Sequence, residues 1–140
     1  MPINKTTDTH PTLSVAASAL RAQQARMRII AENIANADST GQTPGADPYR
    51  GKIPVFEATK IDGAMGVKLA SVRPDSKPFP EEYDPSHPAA DARGYVKRPN
   101  VESLVQSMDM RDAQRAYEAN LNVIETTRSM EQKTLDLLKR

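Results

Sequence analysis

Cysteine is missing from this 140-residue chain, and so is tryptophan. Without cysteine there is no disulfide, no thiolate metal ligand and no thiol nucleophile. The redox compartment stays open, because such a chain tolerates reducing and oxidising surroundings alike. Aromatic residues are scarce too, with two Phe and four Tyr. Large rings supply much of the buried area of ordinary cores, so a deep core is not expected. Nineteen basic and eighteen acidic residues leave a net charge of only +1. That balance offers no strong field for nucleic acid or an anionic membrane surface. No run approaches the roughly 20 apolar residues of a membrane helix. The first twenty residues carry one lysine and no continuous apolar stretch, so any export is expected to proceed without a cleaved signal peptide.

The residues that break helices are concentrated. All six Gly lie between Gly41 and Gly94, and nine of eleven Pro lie between Pro44 and Pro99. This distribution divides the chain into a turn-rich middle and two helix-permissive ends. The expected organisation is a flexible tail over 1–12, which includes His10, a helix over 13–40, an irregular segment with short strands over 41–99, and a long helix over 100–140.

In the first helix, Thr12 or Ser14 can act as the N-cap. Leu13, Leu20, Met27 and Ile34 recur every seven residues, with Ala16, Gln23, Ile30 and Ala37 at the partner positions. This is a heptad-like seam. Arg21, Arg26 and Arg28 give one side a basic character, read as a solvated face. The last helix is expected to be capped by Asn100, with Glu102 in its first turn and Lys139 and Arg140 at its end. Met110, Ala113, Tyr117, Leu121, Ile124, Thr127, Met130, Thr134 and Leu138 follow at steps of three or four, the spacing of an amphipathic helix. From Val101 to Leu138 such a helix would run about 57 Å. A compact domain of this size has a radius of gyration of about 14 Å. One copy therefore cannot bury both terminal helices. The predicted class is mainly α, with two terminal helices pairing as a coiled-coil-like layer around a Pro/Gly-rich middle. Both ends are expected to order only on assembly.

In the middle, strand character occurs near Lys52–Thr59, Gly66–Val72 and Gly94–Lys97. Pro54 marks the first as an edge strand or irregular. Gly63 and Gly66 are expected to make a turn, and Pro74–Pro88, with five prolines, an extended loop. The most enzyme-like patch is Tyr83-Asp84-Pro85-Ser86-His87-Pro88 with Asp91. Asp84, His87 and Asp91 are potential metal ligands, and Ser86 adjoins His87. The spacing matches no metal site. A serine–histidine pair needs alignment by tertiary structure. A proline-bounded turn is the preferred reading. Gly41-Gln42-Thr43-Pro44-Gly45 lacks the Lys-Ser/Thr ending of a phosphate loop. No enzyme activity, cofactor or metal is expected. Asn33 and Asn36 share a helical face beside Ile34. They either set register between buried helices or fray toward water, and spacing does not choose between these.

The run Ala31-Glu32-Asn33-Ile34-Ala35-Asn36-Ala37-Asp38-Ser39-Thr40 resembles the N-terminal signature of bacterial flagellar basal-body rod and hook proteins. Gln114-Arg115-Ala116-Tyr117-Glu118-Ala119-Asn120 resembles their C-terminal helix motif. Asp47-Pro48-Tyr49-Arg50, Tyr83–Pro88, Gly94-Tyr95-Val96 and Pro99-Asn100-Val101 are similar to the proximal rod members. Together these cover about residues 13–139. The resemblance implies a structural subunit that polymerises through its terminal helices, transmits torque and lines an export channel. It implies a periplasmic position and export without signal cleavage. The implied partners are further copies of the chain, other proximal rod proteins, the distal rod protein, and inner-membrane ring or export-gate adaptor proteins. On this reading Asn33 and Asn36 become interface residues, alongside Leu13, Leu20, Met27, Ile34, Tyr117, Asn120, Leu121, Ile124, Thr127 and Leu138. The alternatives are a paralogous proximal rod subunit and a coiled-coil adaptor or export chaperone.

Overall fold

The computed structural model describes residues 9–139. Two helices enclose four strands in chain order: α1 (Thr9–Ala35), β1 (Lys52–Ile61), β2 (Ala64–Pro74), β3 (Glu81–Tyr83), β4 (Tyr95–Lys97) and α2 (Ser103–Leu138). The helix α1 opens at Thr9, inside the stretch expected to be a tail, and places His10 in its first turn. Pro11 permits this start, because a first-turn residue has no intrahelical acceptor to satisfy with its nitrogen. The rest of the expected tail, residues 1–8, lies outside the described residues.

The long second helix also differs at its start. Its N-cap position is Glu102, whose side chain makes no capping hydrogen bond, and its first turn holds no acidic residue. Asn100, expected to cap, is used elsewhere. At the far end Lys139 donates its backbone N–H to the Leu135 carbonyl at 3.2 Å, and Arg140 lies outside the described residues. The 36 residues of α2 span about 54 Å, against about 40 Å for α1.

The helix α1 is the middle layer. It packs against α2 on one side and against the β1–β2 hairpin on the other. The two helices run antiparallel: Asn33 meets Gln106, Arg26 faces Asp109, and Val15 and Ala19 lie beside Asn120 and Val123. Being covered from two sides explains why α1 supplies more buried residues than any other element. Ala16, Ser18, Ala22, Ile29, Ile30 and Asn33 form a broad arc, while α2 buries only Ala113. Small residues at these positions let the helix axes approach closely. The buried arc includes the heptad partner positions Ala16 and Ile30 but not the seven-residue row itself. Leu13, Leu20, Met27 and Ile34 are only half-buried and flank the arc.

The first two strands form one antiparallel ribbon and β3–β4 another. At 10 and 11 residues, β1 and β2 extend beyond the strands expected from the sequence. Their turn is Asp62-Gly63, with φ of 49° and 82°. Two successive positive φ values are those of a type I′ turn, which matches the twist of a hairpin and favours Asp-Gly. Pro54 is accommodated because a two-stranded sheet leaves each strand one unpaired edge. The register slips between Val55 and Phe56, a bulge that bends the ribbon. Glu81–Tyr83 pairs with Tyr95–Lys97, so part of the expected proline loop is a strand. Val96 and Ala89 form a small separate core there.

Gly66 is not part of the turn. It lies within β2, where an added Cβ would come within 2.5 Å of Ile61 Cδ1 and 2.8 Å of Ser18 Oγ. The absence of a side chain lets the hairpin lie flat on α1. Buried Ser18 then donates to the Val15 carbonyl at 2.7 Å and accepts the Val67 N–H at 3.2 Å. Replacing Ser18 with Ala removes the acceptor. It should destabilise the chain by about 1 kcal/mol and speed exchange of the Val67 amide, measured by hydrogen–deuterium exchange.

Candidate assembly interface

Asn33 is the polar centre of the fold. It is 3% exposed, and every hydrogen-bonding position of its carboxamide is used. Oδ1 accepts the Tyr49 hydroxyl at 2.8 Å and the Lys52 N–H at 2.9 Å. Nδ2 donates to the Lys52 carbonyl at 2.9 Å and to Gln106 Oε1 at 3.2 Å. One side chain therefore ties α1 to the loop after it, to the first residue of β1 and to the start of α2. Burial pushes the Tyr49 hydroxyl above its ordinary titration range, with the Glu32 carboxylate adding to the effect. The phenol is thus a secure donor near neutral pH.

A second clasp lies beside the first. Asn100 Oδ1 accepts the Gly51 N–H at 2.8 Å, and its Nδ2 donates to the Asp75 and Lys77 carbonyls at 3.2 and 2.9 Å. Arg50 Nη1 donates to the same two carbonyls at 2.7 and 3.0 Å. The guanidinium also lies 4.1 Å from the Phe79 ring centroid, a cation–π contact. The chain entering the hairpin and the chain leaving it are fastened together by the residue that precedes α2.

The enzyme-like patch is a set of turns. Asp84 accepts the Ser86 hydroxyl at 2.7 Å, and His87 donates its backbone N–H to the Asp84 carbonyl at 3.2 Å. His87 Nδ1 accepts the Ala89 N–H at 3.0 Å, so in the neutral ring Nε2 carries the proton and donates to Thr40 Oγ1 at 3.2 Å. The histidine latches this loop to the segment that follows α1. Asp91 Oδ1 accepts the Tyr95 and Arg93 amides at 3.0 and 2.9 Å. No group of three potential metal ligands occurs among the described residues.

The two asparagines read together in the sequence behave differently. Asn36 bonds locally, with Nδ2 on the Glu32 carbonyl at 2.9 Å and Oδ1 accepting Ser39 Oγ at 3.1 Å. It finishes its own helix, whereas Asn33 joins distant elements. On α2, Asn120 and Thr127 are half-buried and bond to the carbonyls one turn back, at 2.8 Å each. Tyr117 and Ile124 are half-buried in the same stripe, while Leu121 and Leu138 are exposed. The chain thus brings Tyr117, Asn120, Ile124 and Thr127 onto the stripe facing α1 and leaves Leu121 and Leu138 exposed. Gln106 was not singled out from the sequence, and Tyr49 and Asn100 entered only through family-like motifs and, for Asn100, as a helix cap. Their partners are 16 to 73 residues away, and no local pattern signals them.

Beyond Ile124 the stripe loses its cover. Met130, Leu135, Leu137 and Leu138 are 62, 52, 71 and 78% exposed. At the other end of α2, Leu104 and Met108 are 75 and 59% exposed. Such a density of bare apolar side chains on one helix marks a surface that another chain covers. Known proteins agree with this architecture. Residues 13–42 match the family described as flagella basal body rod protein, and residues 92–137 match the C-terminal region of the flagellar basal body rod FlgEFG proteins. The chain is a structural protein of the flagellar rod class, and it is not an enzyme. It is 51% identical to the flagellar basal-body rod protein FlgC of Agrobacterium fabrum, over 89% of this chain and 91% of that one. The FlgC of Escherichia coli O6:H1 is 45% identical over 88% and 92% of the two chains, and that of Bacillus subtilis 35% over 91% and 96%. The chain belongs to the FlgC family of rod proteins.

Two outcomes follow. Asn33→Ala leaves several buried partners unpaired and should cost about 3 kcal/mol, measured by denaturant unfolding of the purified chain. Asp91 is held below the ordinary 3.8 by the Tyr95 amide first, then by Arg93. A lowered folded-state value stabilises above the unfolded-state value and is lost as pH falls through the folded one. The Tyr95 amide should therefore gain exchange only below the ordinary aspartate range, and in Asp91→Ala, which removes the acceptor, at all pH values.

Proposed function

We propose that the chain polymerises through α1 and α2 as an inner layer of the rod, with the hairpin and the β3–β4 ribbon outside it. The observation that carries this is the length mismatch. The helix α2 runs past Val123, where the first turns of α1 lie against it, and its last turns keep an uncovered apolar row. The half-buried Leu13, Leu20, Met27 and Ile34 row lies at the margin of the α1 arc, open to a neighbour. In that layer Tyr117, Asn120, Leu121, Ile124, Thr127 and Leu138 would face other helices, with Asn33 fixing the end of α1 against its own body and Asn36 closing the helix end that meets the neighbour. Neighbours are copies of this chain, other proximal rod proteins, the distal rod protein, and ring or export-gate adaptor proteins at the inner membrane. The subunit is exported without signal cleavage, takes its place in the periplasm, transmits torque and lines the export channel. Its terminal helices order on incorporation.

Ile124→Asp places a carboxylate in the seam without touching the Asn33 and Asn100 clasps. Motility of a complemented deletion strain should be lost, while exchange protection of the middle segment stays at the wild-type level. Normal swimming would remove the seam from consideration. Circular dichroism of the purified chain separates a rod subunit, with less helix alone than the two helices provide, from an adaptor or chaperone with fully formed ends. Intact rods in electron micrographs of the deletion strain would overturn the rod assignment itself.

A further inference from the structure

A groove of about 610 Å³ runs between α1, the loop entering β1 and the end of β2. Arg28, Arg50, Lys52 and Arg73 line it, against the single carboxylate of Glu32. Two of the cations are engaged within the chain. Lys52 pairs with Glu32, and Arg50 holds the Asp75 and Lys77 carbonyls. Arg28 and Arg73 are exposed and make no ion pair among the described residues. The groove therefore presents uncompensated positive charge beside Val72, which is 43% exposed.

Two carboxylates that can complement it are on the outer side of α2, among the exposed cations Arg111, Arg115 and Arg128. Glu118 and Glu125 are seven residues apart, which places them on one face, and both are exposed without an ion pair among the described residues. That face is turned away from the Ala113 stripe that packs on α1. Within one chain the two sets cannot meet. The groove adjoins Arg28, whereas Glu125 follows Val123, which lies beside Val15 at the other end of α1. Thirteen residues of helix separate Val15 from Arg28, or about 20 Å.

We propose that the groove of one copy receives the Glu118–Glu125 face of α2 from a second copy, resting on the rod reading above. Two different patches meeting in this way form a head-to-tail contact, the kind that propagates rather than closes. Charge then supplies the register and the choice of neighbour, while the apolar seam supplies the burial.

Charge reversal in the full chain, in a strain lacking the native copy, tests this. Arg28→Glu with Arg73→Glu, and separately Glu118→Lys with Glu125→Lys, should each reduce swimming about ten-fold or more. All four together restore complementary charge between copies and should recover most of it. Near-normal swimming with either pair alone overturns the proposal, as does failure of the four-fold variant to recover while it still folds and accumulates normally. A second measurement does not depend on these variants folding well. The chain has no cysteine of its own, so Arg73→Cys with Glu125→Cys should yield disulfide-linked multimers in isolated basal bodies. A disulfide needs Cα atoms within about 7 Å, which one chain cannot provide here. Absence of multimers overturns the contact. Loss of swimming in Ile124→Asp alongside that absence leaves the rod reading standing.

Discussion

The carboxamide of Asn33 joins four places in the chain through one side chain. Its oxygen and nitrogen bond α1 to Tyr49, to both backbone groups of Lys52 and to Gln106. A buried amide is costly unless each of its positions is filled. The same requirement makes the arrangement specific, because only one approach of the hairpin and one register of α2 fill them all. Asn100 and Arg50 repeat the principle a few ångströms along, closing the base of the hairpin on two shared carbonyls. With so few large apolar residues, polar clasps define the geometry that a large core would otherwise define.

The division of labour along α1 follows. Its C-terminal half is fixed by Asn33 and buries Ile29 and Ile30. Its N-terminal half packs through Ala16, Ser18 and Ala22, a thinner and flatter contact. The helix α2 is buried at Ala113 and bare at both ends, with Leu104 and Met108 as well as Leu137 and Leu138 in solvent. Those bare ends are where a neighbouring chain has most to gain by covering the helix.

Much of this was legible in the sequence. The clustering of Gly and Pro located the middle, and steps of three and four located α2. The length of α2 implied a surface that a single copy could not cover. Other features were hidden because they depend on residues far apart. Asn100 looked like a helix cap, as Asn after Pro often does, yet its amide serves the hairpin. Gly66 looked like a turn residue, but its purpose is steric and becomes visible only when Ser18 and Ile61 are brought beside it. The heptad of Leu13, Leu20, Met27 and Ile34 was a real pattern. It lies at the edge of the buried arc because the sheet, which periodicity cannot foresee, claims another face of α1.

The Asn33 clasp also has a kinetic side. Asn33 and Gln106 are 73 residues apart, so the clasp closes only after most of the chain is present in one place. Contacts of such long separation form late and slowly. A fold whose central bond joins residues from the two halves of the chain sets only once α1 and α2 are brought together.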